Sequence, residues 1–362
     1  MKSVTRKHIV RAVVLTPAVV LISVFVNLVG YMLALNGIII IRESPWHYAA
    51  REFYVYHGRA IVQLEPGYVE YDEHLLYRPR NGVFVFNNYE FRTTIESING
   101  QRKNPYLHTS PDIIILGDSF AQGWGVNDRD TVASALTRDF GLKALSSGVS
   151  SYNTAREFHA FRRSLSNGIL PRPPHLIIFY CTNDYTENMY FLAHGIKSYT
   201  PQDFSVQVSR ARDNTAKTNL LVAPLINHVQ ALRQGYLKCF AMAKSGLDYG
   251  NLYDPEPPVS CTEQVRAFKA VLDANLDIIE NSKVTVVSFK GWGGKDNFGQ
   301  ALAATPFLAN NTKIKVVPNT VPPSGYFPLD GHLNEDGSRY LAGLIAAQIY
   351  TKDQPIEDEV AR

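Results

Sequence analysis

From residue 112 onward the chain alternates short, mostly apolar runs with segments of helical spacing. The runs occupy residues 113–116, 143–147, 175–181, 283–289 and 314–317. Apolar runs this short, without regular polar alternation, predict strands buried on both faces, as in a parallel sheet. Amphipathic segments between them predict helices that cover the sheet. The pattern therefore predicts an α/β domain built from βαβ units.

The predicted helices show start signals and apolar spacing. Asp128 or Asp130 is placed to cap a helix that begins near Val132, and Asn153 is placed to cap the next one. A long amphipathic pattern over residues 263–281 predicts a single helix. A closing helix is expected after Glu335.

Two stretches do not follow this alternation of strands and helices. Residues 43–111 are rich in aromatic and turn residues, and alternation over 83–86 and 90–95 predicts half-buried strands joined by a turn at Asn87-Asn88. We interpret 43–111 as a small β-rich collar that ends in a linker over 99–111. Residues 185–262 contain no clear strand and are predicted to form an insertion near the strand ends, as a lid or substrate wall.

The amino terminus has a different character. Residues 12–41 carry no charge, and about 20 apolar residues suffice to cross a bilayer. A buried core helix seldom runs this long without a charge, and the apolar region of a cleaved signal peptide covers about 7–15 residues. We therefore expect residues 1–42 to form a short tail and one transmembrane anchor.

Charge around this segment predicts its orientation. Lys2, Arg6, Lys7 and Arg11 precede the apolar run, which favours a cytoplasmic amino terminus and an exported remainder. The chain has 36 Lys and Arg against 33 Asp and Glu; five of the bases and none of the acids fall before residue 43. The remainder thus holds 31 bases against 33 acids, which argues against a nucleic-acid-binding surface.

The cysteines give no sign of a metal site. Cys181, Cys239 and Cys261 lack metal-ligand spacing. In an exported domain Cys239 and Cys261 could pair or remain two thiols, and both alternatives stay open. Cys181 is expected to be a small core residue, because it ends an apolar strand.

Candidate catalytic residues follow the predicted strands. Ser119 comes directly after the run 113–116, Gly148 after 143–147 and Asn183 after 175–181. Parallel sheets place their chemistry at the carboxyl ends of the strands. A serine nucleophile needs a base within hydrogen-bond reach, and His332 after the last predicted strand is the candidate, with Asp330 to orient it. Backbone N–H of Ser119 and Gly148 and the Asn183 amide are candidate oxyanion donors.

These motifs resemble the four blocks of the SGNH hydrolases, the GDSL-type esterases and lipases: Gly117-Asp118-Ser119, Gly148, Asn183-Asp184 and Asp330-Gly331-His332. The resemblance covers roughly residues 112–350, with 185–262 and 291–313 as inserted material, within a predicted SGNH-like domain over 112–352. It implies a flavodoxin-like three-layer α/β/α fold and acyl-ester chemistry without a metal or other cofactor. It also implies that Ser119 is the nucleophile, that His332 is the base with Asp330 as its partner, and that Ser119, Gly148 and Asn183 form the oxyanion hole.

The chain departs from the family pattern in two places. Phe120-Ala121-Gln122 follow the serine instead of Ser-Leu, and one residue rather than two separates Asp330 from His332. A backbone carbonyl is the alternative partner for His332. An α/β-hydrolase is rejected because Ala121 replaces the second glycine of Gly-x-Ser-x-Gly.

Three functions compete at this stage. The first is a membrane-anchored, exported serine esterase that acts on acyl groups, above all acetyl groups, of a carbohydrate or lipid. The second is an acyltransferase that uses the same residues with a sugar hydroxyl in place of water. The third is an inactive SGNH-like scaffold, against which the intact serine, histidine and asparagine weigh. Residues 353–362 are expected to be a polar tail.

Overall fold

The computed structural model describes residues 2–41, 44–54, 64, 67–86, 90–96, 100–181, 183–216, 223–245, 260–289, 297–305 and 313–350. The chain divides into two compact units. The helical unit comprises Met1–Arg59, Asn214–Leu247 and Pro328–Asp330, and the sheet unit comprises the remainder. The predicted turn at Asn87-Asn88 and the tail 353–362 lie outside the described residues.

A five-stranded parallel sheet forms the centre of the sheet unit. Its strands are β5 (Ile113–Leu116), β6 (Ala144–Ser146), β7 (His175–Cys181), β8 (Lys283–Phe289) and β9 (Ile314–Val317). They lie in the order β6-β5-β7-β8-β9, and each pair is parallel. This is the order of a flavodoxin-like sheet, so the predicted fold class is confirmed.

Helices cover both faces of the sheet. One face carries α4 (Val132–Phe140) and α12 (Glu335–Tyr350), which contact each other. The other carries α5 (Thr154–Ser166), α6 (Asp184–His194), α9 (Cys261–Asp273) and α11 (Asn297–Ala303). Between this second layer and the sheet lies a core that includes Phe158, Phe161 and Phe268, all fully buried. Burying one such side chain stabilises the folded state by about 1.5–3 kcal/mol, so these contacts hold the helices against the sheet.

Two predicted helix boundaries differ from the structure. The helix expected over 263–281 ends at Asp273, and a short α10 (Leu276–Ile279) follows. The side chain of Asn275 donates to the carbonyl of Val271 (2.8 Å) at this break. Thr131, rather than Asp128 or Asp130, caps α4 by accepting from the N–H of Ser134 (3.1 Å). Asp128–Asp130 instead form a single 3₁₀ turn.

The β-rich segment contains two antiparallel pairs, β1 (Val69–Asp72) with β2 (Leu76–Pro79) and β3 (Gly82–Phe86) with β4 (Phe91–Ile95). Its aromatic side chains pack with Trp124 and Tyr152 of the α/β domain. The expected linker that follows differs from the prediction: Gln101, Arg102 and Asn104 are buried. Arg102 bridges Ile95 and Ser146, which extends the pairing at the edge strand β6.

The helical unit contains α1 (Lys2–Leu35), α2 (Pro45–Phe53) and α8 (Ala223–Ser245). The segment Thr16–Leu35 of α1 is long and apolar enough to cross a membrane. The inserted stretch 185–262 is shared between the units, since α7 (Pro201–Ala216) lies almost wholly in the sheet unit and α8 in the helical unit. Cys181, Cys239 and Cys261, all within the described residues, form no disulfide with one another.

Candidate active site

Ser119 lies at the first turn after the central strand β5. Gly117 has φ +150°, and a Cβ there would lie 2.7 Å from the Cβ atoms of Ala121 and Phe179, so the turn requires glycine. The carboxylate of Asp118 accepts from the N–H of Phe120 (2.9 Å) and starts the one-turn helix α3 (Ser119–Gln122). Ser119 is therefore held on a fixed turn and remains partly exposed.

His332 lies within hydrogen-bond distance of this serine: its Nε2 is 2.6 Å from Ser119 Oγ. The histidine sits in a short loop between Tyr326 and Leu333, which pair as an antiparallel bridge. The N–H of Phe327 donates to the carbonyl of His332 (2.9 Å), and the Phe120 ring lies 5.1 Å from the imidazole. The structure thus brings together a hydroxyl and a candidate base in the geometry that nucleophilic catalysis requires.

Gly148 follows β6 and lies against the turn that carries the serine. A Cβ at this position would lie 2.6 Å from the backbone nitrogen of Gln122 and from Ala121 Cβ, so only glycine fits. Its N–H donates to Ser146 Oγ (3.2 Å), and the next N–H, of Val149, donates to the carbonyl of Gly117 (3.1 Å). The Gly148 backbone is thereby fixed beside the turn that carries Ser119.

Asn183 follows β7 and is the residue before α6. Its side chain is exposed and makes no capping hydrogen bond to the helix. Because β6 and β7 flank β5, Ser119, Gly148 and Asn183 follow three adjacent strands at the same edge of the sheet. Their joint role as an oxyanion hole stays a prediction.

Asp330 belongs to a short segment of the helical unit, Pro328–Asp330. Within that unit, His47 Nε2 lies 2.8 Å from the carbonyl oxygen of Pro328, and Leu329 is buried beside Ala49 and Ala50. Asp330 itself is half-buried. Its pairing with His332 stays a prediction.

Arg102 is a residue that sequence reasoning missed. Its guanidinium is buried and donates to the carbonyls of Gln122 (2.8 Å), Gly123 (2.6 Å) and Val126 (2.6 Å) in the loop after Ser119. Its Nε also donates to Asp128 (2.9 Å). Burial lowers the pKa of this guanidinium, and Asp128 opposes the shift. A single arginine in a predicted linker carries no sequence signal for such a role.

Two buried carboxyl groups, Glu157 and Asp184, lie behind the strand ends, and the sequence predicted neither their burial nor their proximity. Glu157 on α5 is fully buried, and both of its carboxylate oxygens lack a hydrogen-bond partner among the described residues. Burial, reinforced by the charges of Asp184 and Asp118, raises the pKa of Glu157 well above its usual range. The pKa of Asp184 is raised in the same way, although the Thr154 hydroxyl donates to it (3.0 Å). The sequence offered no signal, because α5 carries Glu157 among ordinary polar residues.

A cavity of about 220 Å³ opens between the first turns of α5 and α6 and the loop after α6. The residues lining it include Asn153, Arg156, Glu187, Tyr190, Lys197 and Tyr199. The Lys197 ammonium lies 5.6 Å and 4.9 Å from the ring centres of Tyr190 and Tyr199. Arg156 pairs with Glu187, and its buried Nε lacks a partner in the described part of the chain. The volume is below the ~300–1,000 Å³ of sites for drug-sized ligands, so it suits one ring-sized group.

No protein-family model and no curated protein sequence matches this chain. Among solved structures it is similar to a lipolytic protein of the G-D-S-L family from Desulfitobacterium hafniense, at 11% identity and TM-score 0.36, over 65% of this chain and 97% of that one. A G-D-S-L family protein from Veillonella parvula matches at 11% identity and TM-score 0.36, over 67% and 98%. A family two carbohydrate esterase from Clostridium thermocellum, in complex with cellohexaose, matches at 11% identity and TM-score 0.38, over 67% and 64%.

Proposed function

We propose that this protein is a membrane-anchored serine esterase of the SGNH type that removes acyl groups, above all acetyl groups, from a carbohydrate. The observation that carries the proposal is the 2.6 Å distance between Ser119 Oγ and His332 Nε2. A serine on a glycine-dependent turn after a central strand, with an imidazole in contact, is an arrangement suited to acyl transfer.

In the proposed reaction, His332 Nε2 takes the proton of Ser119 Oγ as the oxygen attacks the ester carbonyl carbon. The tetrahedral intermediate collapses when His332 gives this proton to the leaving sugar oxygen, and the acyl group remains on Ser119. Water then attacks the acyl-enzyme with His332 as base, which releases the carboxylic acid and restores the serine. Every proton in this cycle passes through the one imidazole.

The oxyanion of both intermediates needs preorganised donors, each contributing about 2.7–4 kcal/mol. The backbone N–H groups of Ser119 and Gly148 and the amide of Asn183 are the proposed donors. The Gly148 N–H donates to Ser146 Oγ (3.2 Å), so in the proposed reaction this hydrogen bond gives way to one with the oxyanion. The exposed Asn183 side chain is not engaged as a helix cap and is available to a ligand.

The cavity between α5 and α6 is the feature that favours a carbohydrate over a lipid. Its walls combine two tyrosine rings with the charged side chains of Arg156, Glu187 and Lys197. Aromatic faces and polar side chains together suit a sugar ring, which offers C–H groups to one and hydroxyls to the other. Asn153 and Glu187 lie in the first turns of the helices that follow Gly148 and Asn183.

The anchor is part of the proposal. The apolar segment Thr16–Leu35 is placed across a membrane, with the basic residues before it in the cytoplasm and the chain after about residue 42 exported. This orientation is tested with a reporter enzyme that is active only outside the cytoplasm, fused either to the amino terminus or after residue 350. The reporter should be active after residue 350 and inactive at the amino terminus.

The catalytic proposal is tested with the full chain purified in detergent. Aryl acetate and an acetylated oligosaccharide are supplied to the parent protein and to Ser119→Ala and His332→Ala. The proposal expects acetate release by the parent and its loss in both variants; full turnover in either variant overturns it. Transfer of acetyl to an added deacetylated oligosaccharide, measured by mass spectrometry, would identify the acyltransferase alternative. Absence of both activities would favour the scaffold.

A further inference from the structure

The inserted helix α8 in the helical unit presents an apolar stripe outward. Ile226, Val229, Tyr236, Leu237 and Phe240 are between 46% and 71% exposed. Their spacing of three, seven, one and three residues places them on one face of a helix with 3.6 residues per turn. The opposite face, with Ala231 and Gly235, is buried. A stripe of this size on an exposed helix indicates an interaction surface.

The buried face of α8 packs on α2. At Gly235 an added Cβ would lie 2.4 Å from the carbonyl of Pro45 and 2.7 Å from the nitrogen of Ala49, so the two backbones cross closely. The ring of His228 stacks on Phe53, with ring centres 4.0 Å apart. Lys238 forms an ion pair with Glu52. These contacts fix which face of α8 points outward.

The same helix also contacts the apolar segment of α1. Tyr31 OH lies 2.6 Å from His228 Nδ1, and Tyr236 OH hydrogen-bonds to the side-chain oxygen of Asn27. The two helices therefore run in opposite directions where they touch: His228 and the later Tyr236 on α8 contact Tyr31 and the earlier Asn27 on α1. Asn27 also accepts from the indole N–H of Trp46 (2.9 Å), so its polar group is satisfied within the unit.

These contacts place α8 at the level of the apolar band of α1. Asn27 and Tyr31 lie about 12 Å and 6 Å before the end of α1 at Leu35, at 1.5 Å per residue. Exposed apolar side chains begin before this level at Val19 and continue past the helix at Ile38, Ile40 and Ile41. The stripe of α8 is thus continuous with the surface that α1 would present to lipid.

The charges of α8 fit the same surroundings. The helix carries Arg233, Lys238 and Lys244 and no carboxylate. Arg233 and Lys244 share its exposed face, and long basic side chains of this kind extend from an apolar surface to the headgroup level. An exposed apolar face that carries basic side chains and no acids suits contact with an anionic membrane surface.

We propose that α8 is an in-plane membrane helix, which buries its exposed face at the headgroup–acyl boundary of the leaflet where α1 ends. The inference rests on the membrane anchor proposed above. Its partner is a bilayer surface that contains anionic lipid. The insertion therefore has two parts: α6 and α7 belong almost wholly to the sheet unit, and α8 forms a second membrane contact beside the anchor.

Spin labels test this placement in the full chain. Cys181, Cys239 and Cys261 are replaced by alanine, and single cysteines are introduced as Leu237→Cys, Phe240→Cys and Val24→Cys. Tyr340→Cys on α12 is the matched control, since Tyr340 is 45% and Leu237 49% exposed. The labelled proteins are reconstituted in phosphatidylcholine vesicles containing phosphatidylglycerol. Collision rates with oxygen, which concentrates in lipid, and with a water-soluble nickel chelate are then measured.

We expect the ratio of the oxygen collision rate to the nickel collision rate at residues 237 and 240 to be several-fold higher than at residue 340. This ratio should approach the value measured at residue 24, within the anchor. A ratio at 237 and 240 equal to that at 340, with a high ratio at 24, overturns the inference and leaves the anchor intact. A low ratio at 24 as well overturns the anchor. Low collision rates with both reagents at 237 and 240 would mean that protein, from a second copy or another partner, covers the stripe, which also overturns a lipid contact.

Discussion

His332 Nε2 lies 2.6 Å from Ser119 Oγ although 213 residues separate the two in the chain. A contact of this kind between an imidazole and a hydroxyl on a strand-end turn is the basis of the proposed reaction. We expect Ser119→Ala and His332→Ala each to lower kcat for an acetyl ester by about 10³-fold or more, since each removes a whole catalytic role.

The double variant should be no slower than the slower single one, because residues that act as a unit are not additive. Steady-state hydrolysis of an aryl acetate measures these effects. Exposed residues of the same types, in Ser166→Ala and His108→Ala, are the controls and should retain parental turnover. Additive losses in the double variant would contradict a shared mechanism.

Asp330→Ala tests the short spacing between Asp330 and His332. If the carboxylate orients the imidazole, kcat should fall about 10²–10⁴-fold while KM changes little. The dependence of kcat/KM on pH is measured for this variant. Asp336→Ala, which removes an exposed carboxylate in the first turn of α12, is the control for a general loss of charge. A loss below about tenfold would mean that another group, such as a backbone carbonyl, orients His332.

Arg102→Met should destabilise the protein by about 3–5 kcal/mol, because it leaves Asp128 and several loop carbonyls without their buried donor. Chemical denaturation followed by circular dichroism measures the change in the free energy of unfolding. Arg129→Met, which removes an exposed guanidinium paired with Asp130, is the control and should change stability by under about 1 kcal/mol.

Gly148→Ala should disturb the turn that carries Ser119. The added Cβ would lie 2.6 Å from the nitrogen of Gln122, so either the Gly148 loop or α3 must shift. We expect a loss of kcat of about 10²-fold or more, since a displacement near 1 Å is sufficient for such an effect. Gly141→Ala, at a glycine with φ +67° and open space around it, is the control: it should cost stability without lowering kcat in the folded protein.

The contribution of Glu157 and Asp184 to stability should fall as pH rises above the ordinary carboxyl range. The pKa values of Glu157 and Asp184 are raised by burial, so the folded state holds their protons more tightly than the unfolded state does. Their contribution to the free energy of unfolding therefore decreases with pH between about 4, the unfolded value, and the raised folded values. Glu157→Gln should flatten this slope and raise the melting temperature at neutral pH.

Thermal melts at a series of pH values measure the slope. Glu335→Gln, which alters an exposed glutamate at the start of α12, is the control and should leave the slope unchanged. A slope in Glu157→Gln equal to that of the parent protein would show that Glu157 does not hold a proton in the folded state.

The sequence determined the central sheet and the positions of three site residues. Residues 113–116 are wholly apolar, 175–181 are apolar after His175, and 283–289 are mostly apolar. A strand covered on both faces buries the side chains of such a run. Their predicted bounds match β5, β7 and β8. Since parallel strands end at a common edge, the sequence also placed Ser119, Gly148 and Asn183 there.

The tertiary structure decided what depends on contacts between distant residues. No local pattern fixes the distance from His332 to Ser119, the buried position of Arg102 or the proximity of Glu157 to Asp184, because each is set by the packing of separate elements. The same holds for the contacts of α8 with α1 and α2, which its own sequence does not predict. Local periodicity reports burial along one element, whereas the identity of the packing partner is a property of the whole fold.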